Sequence, residues 1–266
     1  INAVNDAPTI TGDYVGAVTE SANADNDPTN GGTMTASDTE SSNNLDFSIT
    51  GVSLVGTTYT QVGTYGTLVL TESSGVWVYT LDDSDDQTQA IDAGDSPTDT
   101  FSITVNDNDG TDNNGEETGT QTLTVTITGA DDAPTTSTPS TQAGTEDTMF
   151  TGYAVADFPF TDVDGDDSAL ISITITVVES TGDLEKSANG AQWTDVSAND
   201  VILNANIQHL RLNPVADSIT SVTFTYTVQD GTQSSNTPIP ASCAASTRSR
   251  NSCGGPNRIG QGIEFD

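Results

Sequence analysis

Basic residues are almost missing from this chain. Five lysines and arginines face 39 acidic residues in 266, for a formal charge of −34, and three of the five (Arg248, Arg250 and Arg258) fall in the last stretch. Residues 1 to 240 thus hold only Lys186 and Arg211. Such a surface repels phosphate backbones and anionic headgroups, which excludes nucleic acid as a partner and binding to membranes through basic patches. Histidine is down to one residue, His209. Cysteine is confined to Cys243 and Cys253, so no disulfide supports the first 240 residues, in keeping with an exported protein that does without them. No apolar run approaches the roughly 18 residues of a membrane span, so no insertion is expected. The chain starts at Ile1 without a signal-like segment and reads as an excised piece of a longer exported polypeptide.

What is abundant is threonine, valine and isoleucine in alternation. Phe101-Ser102-Ile103-Thr104-Val105 and Leu123-Thr124-Val125-Thr126-Ile127 place apolar side chains on one face and hydroxyls on the other, the pattern of a half-buried strand. Further strands are expected at Thr33–Ala36, Leu45–Leu54, Thr57–Val62, Thr67–Thr71 and Val76–Leu81, with one helical turn in the polar insertion Asp82–Asp99. Ile171, Ile173, Ile175 and Val177 alternate later in the chain, as do Val222, Phe224, Tyr226 and Val228, with a shorter pair at Leu210 and Leu212. The fold class is therefore all-β, as two tandem β-sandwich domains of the immunoglobulin-like kind. Two acidic, proline-stiffened segments, Val4-Asn5-Asp6-Ala7-Pro8-Thr9 and Ala130-Asp131-Asp132-Ala133-Pro134-Thr135, mark the joints. This predicts modules at 1–133 and 134–238. The remainder, 239–266, is basic, cysteine-containing and strand-poor, and reads as a disordered end or a translated cloning scar.

Acidic clusters carry the chemistry. Asp162-Val163-Asp164-Gly165-Asp166-Asp167 alternates carboxylates around a glycine, suiting a calcium ion that takes six to eight oxygens, although the spacing is not that of an EF-hand. Asn106-Asp107-Asn108-Asp109-Gly110-Thr111-Asp112 at a strand end is a second candidate, with Asp107 and Asp109 as ligands. Asp38 and Glu40 with Glu20 form a third set, for which a solvated turn is the preferred reading, and the same bland reading stands beside the other two. The hinge acids Asp131 and Asp132 are candidates to share an ion with Glu146 and Asp147, or with a loop of the preceding module; the alternative is a hydrated, freely rotating linker.

Enzymatic constellations are thin. No Gly-x-Ser-x-Gly elbow or phosphate-binding loop occurs, His209 alternates with Leu210 and Leu212 toward the outer side of an expected strand, and no carboxylate pair stands out. No enzyme is expected. Trp77 and Tyr79 share a strand face and belong to a core, whereas Trp193, in a polar stretch, is the aromatic expected at a surface.

The first module resembles a VCBS repeat of giant bacterial RTX-type adhesins, through Val18-Thr19-Glu20, Gly32-Thr33-Met34-Thr35-Ala36-Ser37-Asp38, Gly63-Thr64-Tyr65-Gly66-Thr67-Leu68, Gly75-Val76-Trp77-Val78-Tyr79-Thr80-Leu81-Asp82 and the closing Gly129-Ala130-Asp131-Asp132-Ala133-Pro134. The second resembles the cadherin-like or immunoglobulin-like repeats that accompany them, through Glu146-Asp147-Thr148, Asp157-Phe158-Pro159-Phe160-Thr161-Asp162-Val163-Asp164-Gly165-Asp166 and Phe224-Thr225-Tyr226-Thr227-Val228-Gln229-Asp230-Gly231. The likeness implies calcium in loops and joints, with ligands among Glu146, Asp162, Asp164 and Asp230. Ser37-Asp38-Thr39-Glu40 departs from the Asp-x-Asp-Gly pattern of such repeats. The implied role is a monomeric, calcium-stabilised stalk on a bacterial cell surface, its partners being calcium ions and neighbouring repeats, active in adhesion or biofilm formation. The alternative is a glycan- or peptide-binding module of the same kind of protein, with Trp193 at its contact surface.

Overall fold

The computed structural model describes residues 5–22, 26–39, 45–108, 117–139, 141–145, 147–164, 169–179, 181–217, 220–235 and 237–246. The chain folds as an all-β protein whose contacts cluster into two units. The first contains 1–136 together with the segments 160–171 and 228–236, and the second contains 137–159, 172–227 and 237 onward.

In the first unit, β1 (Thr9–Gly12), β3 (Thr29–Ser37), β7 (Val76–Leu81), β6 (Gly66–Thr71) and β5 (Thr58–Val62) form a five-stranded sheet in the order β1-β3-β7-β6-β5. A four-stranded sheet of order β2-β9-β8-β4 joins β2 (Val15–Thr19), β9 (Thr118–Thr128), β8 (Thr98–Asn106) and β4 (Asp46–Ile49). The period-two pattern does what it must. Phe101, Ile103 and Val105 of β8 and Leu123, Val125 and Ile127 of β9 are all buried, and they pack with Trp77, Tyr79, Leu68 and Leu70 of the other sheet in one core. Each large apolar side chain removed from water there contributes roughly 1.5 to 3 kcal/mol. The expected single strand Leu45–Leu54 is cut short: after β4 the chain turns at Gly51, whose φ of +81° leaves the strand region. The helical turn in the polar insertion is α1 (Asp86–Gln89), capped by the Asp85 carboxylate on Gln87 N. β1 and β2 were not anticipated. β2 runs parallel to β9, with Val18 opposite Ile127 and Thr19 opposite Thr128, so the second and last strands of the unit run side by side.

The second unit holds a sheet of order β10-β17-β16-β11-β14 and a three-stranded sheet β13-β12-β15. Their strands are β10 (Gln142–Thr145), β11 (Ser172–Val177), β12 (Asp183–Lys186), β13 (Thr194–Asp195), β14 (Val201–Leu203), β15 (Leu210–Asn213), β16 (Val222–Gln229) and β17 (Ile239–Ser246). The core is aromatic: Phe150 meets Tyr153 edge-on at 4.8 Å, and Phe158 meets Tyr226 edge-on at 5.0 Å. The reading of 239–266 as strand-poor is corrected for its first residues. β17 pairs antiparallel with β16 (Phe224 opposite Ala241) and parallel with β10 (Gln142 opposite Cys243), a parallel pairing of an early strand with the last one, as between β2 and β9 in the first unit. Small residues such as Ala241 and Cys243 are buried there by their partner strands, so the segment needs no β-branched run of its own. His209 also departs from expectation: it ends a 3-10 helix (Asn204–His209) rather than lying in a strand.

Candidate metal centre

The parallel pairing of β2 with β9 delivers Glu20 to the acidic joint. Glu20 N bonds Thr128 O, and the Glu20 carboxylate accepts Ala130 N at 3.1 Å and Gln89 Nε2 at 3.1 Å. Gly129 makes the approach possible: a Cβ there would stand 2.2 Å from Ile91 O, and Gly129 N bonds Asp95 O. Beyond it, Asp132 N donates to Asp164 Oδ2 at 2.6 Å, Asp164 N donates to Asp162 Oδ1 at 3.2 Å, and Gln233 Nε2 donates to Asp131 O. Thr135 and Thr161 pair through both backbone hydrogen bonds, fixing the loop that carries Asp162 and Asp164. Asp230 closes the set: its Oδ1 accepts Thr232 N at 2.6 Å, Thr232 Oγ1 at 2.9 Å and Gln233 N at 2.7 Å.

These carboxylates are withdrawn from water. Glu20, Asp83, Asp132, Asp164 and Asp230 are 4%, 1%, 0%, 2% and 4% exposed, so hydration cannot screen their mutual repulsion. Burial pushes Glu20 up to about 7 against the lowering effect of Ala130 N–H, and the charges of Asp132, Asp83 and Asp164 push it the same way. Burial likewise pushes Asp164 up to about 6 despite the Asp132 N–H bond, helped by Asp132, Asp162 and Asp131. Asp164 Oδ1 and Asp230 Oδ2 are buried with no hydrogen-bond partner among the described residues. The donors of the described residues therefore leave lone pairs unmet in a region of negative charge. A hard cation with oxygen ligands suits that chemistry, although no three of the described His, Cys, Asp or Glu residues already stand as a formed ligand group.

The sequence-derived candidates separate as follows. Asp131, Asp132, Asp162, Asp164 and Asp230 come together in the first unit. Asp107 is buried, but its carboxylate is taken up by Asn5 Nδ2 at 2.8 Å and Glu117 N at 3.3 Å. Asp147 belongs to the second unit, where at φ +58° its exposed carboxylate accepts Asp217 N at 2.8 Å. Asp109, Glu146 and Asp166 lie outside the described residues. Glu20, weighed only with Asp38 and Glu40, and Asp83, whose carboxylate accepts Ser21 N and Asn26 N, are the acids that sequence reasoning did not place at this centre. The signal that would have found Glu20 is the parallel pairing of β2 with β9, which no local pattern announces. Trp193, expected as an open aromatic surface, is instead half-buried under the Arg211 guanidinium, 3.9 Å from its ring centre.

No family model and no curated protein matches the sequence. Among solved structures, a mouse cadherin-23 fragment is similar at 13% identity and a TM-score of 0.45, over 91% of this chain and 67% of its own. A human mucin-like protocadherin fragment gives 12% and 0.41 over 90% and 98%, and an I-band fragment from titin 7% and 0.32 over 92% and 66%. At these scores the likenesses carry no argument, and the all-β fold class rests on the strands and their pairing.

Proposed function

We propose that this chain is a pair of calcium-stabilised extender modules from a secreted bacterial surface adhesin, whose work is to project a distal binding domain in cell adhesion or biofilm formation. The observation that carries the reading is that two buried carboxylate oxygens, Asp164 Oδ1 and Asp230 Oδ2, meet no donor among the described residues, in a group of acids whose charges oppose one another. The residues that would hold calcium are Glu20, Asp132, Asp162, Asp164 and Asp230. The ion supplies positive charge and coordination where the protein offers neither. Loops 160–171 and 228–236 already cluster with the linker 130–134, so an ion held among them resists bending of the chain at that linker. The VCBS-like and cadherin-like words of the sequence support the same role.

Free calcium at a hundred times its Kd adds roughly 2.7 kcal/mol per site, a large share of the 5 to 15 kcal/mol that holds a domain folded. Thermal unfolding and small-angle scattering in calcium and in chelator test this. The expected outcome is a higher midpoint, by about 10 °C, and a less flexible particle in calcium than in chelator. An unchanged midpoint with an unchanged scattering profile removes the proposal.

A further inference from the structure

We propose that the second unit carries a binding cleft for a neutral carbohydrate, between the edge strands β13 and β14. The cleft has a volume of about 400 Å³, within the range of small-ligand sites, and is lined by Lys186, Ser187, Ala188, Asn189, Gln192, Thr194 and Asn206, with Val201 and Ile202 as an apolar wall. Its loop is set in advance. Ser187 Oγ accepts Gly190 N at 2.9 Å and Asn189 N at 3.3 Å, Asn189 Oδ1 accepts Ala191 N at 3.0 Å, and Gly190, at φ +76°, backs onto His209. The Gln192 and Asn206 amides make no hydrogen bond to any described residue, and neither does Asn189 Nδ2. Amides and hydroxyls of this kind both donate and accept, which is what the adjoining hydroxyls of a sugar ring require, while Val201 and Ile202 suit its C–H face.

Charge narrows the class of ligand. Among the described residues no carboxylate lines the cleft, so a cation finds no oxygens of opposite charge there. Of the two basic side chains among the described residues, Lys186 lines the cleft and Arg211 stands on the neighbouring strand β15, and both are already neutralised: Lys186 by Asp200 at 2.5 Å, and Arg211 by Glu185 at 2.7 Å while it stacks on Trp193. An anion gains nothing from paired cations on a chain of net charge −34. An extended peptide needs a sheet edge to pair with, and β13 and β14 offer two and three residues. A neutral, hydroxyl-rich ligand is what remains.

The test uses the full chain on a printed array of neutral, sialylated and sulfated oligosaccharides beside a panel of extended peptides, in calcium and in chelator. The strongest neutral sugar is then titrated calorimetrically into the chain and into a Gln192→Ala/Asn206→Ala variant, which removes two amides that hold no other described residue. The expected result is binding to neutral oligosaccharides that persists in chelator and falls by about tenfold in the variant, the loss of one or two hydrogen bonds, with the unfolding midpoint unchanged. A silent array, binding restricted to acidic sugars or peptides, or equal affinity in the variant each overturn the proposal. Because the readout is independent of calcium, its failure leaves the stalk reading untouched.

Discussion

Asp107 and Asp230 occupy matching places at the ends of β8 and β16, follow the same kind of alternating strand, and are 0% and 4% exposed. Their surroundings differ. Asp107 receives Asn5 Nδ2 on Oδ2 and Glu117 N on the carboxylate, so protein donors compensate the cost of burying it. Asp230 gathers three donors on Oδ1 and none from the described residues on the buried Oδ2, and Asp164 repeats the imbalance at Oδ1. One strand end is closed by hydrogen bonds. The other is left with lone pairs whose natural partner is a cation. The two sites teach that a buried Asp after a strand becomes a structural clasp where the incoming chain offers an asparagine amide and, on the reading proposed above, a cation site where it brings further carboxylates.

The largest expected effect separates the two. Asp107→Ala strips the donors Asn5 Nδ2 and Glu117 N of their acceptor inside the fold and destabilises by about 2 to 3 kcal/mol, equally in calcium and in chelator. An Asp164→Asn/Asp230→Asn variant instead loses the roughly 2.7 kcal/mol that calcium supplies and is no less stable than the parent chain in chelator, since two repelling charges are gone. Denaturant unfolding in both media reads each outcome. A calcium-dependent penalty at Asp107 would erase the distinction.

pH sharpens it from another side. Glu20 in the metal-free fold is pushed up to about 7 from its ordinary 4.5, so the folded state keeps a proton that the unfolded chain gives up. Its contribution is fully present below about 4.5 and is lost as pH rises through about 7, a fall of roughly 3 kcal/mol. Asp164, pushed up to about 6, acts in the same direction over 3.8 to about 6. Chelated protein is therefore expected to lose stability from pH 5 to 7.5, and saturating calcium to flatten or reverse that slope; unfolding midpoints across that range check it.

Much of this was readable in advance. The alternation in β8, β9 and β16 announced their buried faces, and Asp131, Asp132, Asp162, Asp164 and Asp230 were recognisable as acids crowded on turns. What stayed hidden depends on pairing at long range. Glu20 reaches the centre only because β2 lies parallel to β9, β17 exists because β10 and β16 flank it, and Asp107 is closed by Asn5 from a hundred residues away. A side chain's local word says that it is acidic and on a turn; which partner meets it there is a property of the topology.

Two smaller effects complete the comparison. Asp99, 3% exposed, accepts Tyr79 Oη at 2.7 Å, Thr64 N at 2.8 Å and Tyr65 N at 3.1 Å, a clasp of the Asp107 kind. Tyr79→Phe removes one of its donors and is expected to cost about 1 to 2 kcal/mol without regard to calcium. Asp147→Ala forfeits the exposed bond to Asp217 N and a residue suited to a positive φ, for a cost of about 1 kcal/mol; chemical denaturation in calcium and in chelator gives the same difference if Asp147 is a turn residue, and a larger one in calcium if it is a ligand.

Calcium titration calorimetry at pH 6.5 in two buffers of different ionisation heat reaches the central claim most directly. The account predicts saturable binding whose heat depends on the buffer, because the ion displaces protons from Glu20 and Asp164, and whose signal collapses in the Asp164→Asn/Asp230→Asn variant. Absence of binding, or binding that the variant retains unchanged, contradicts it.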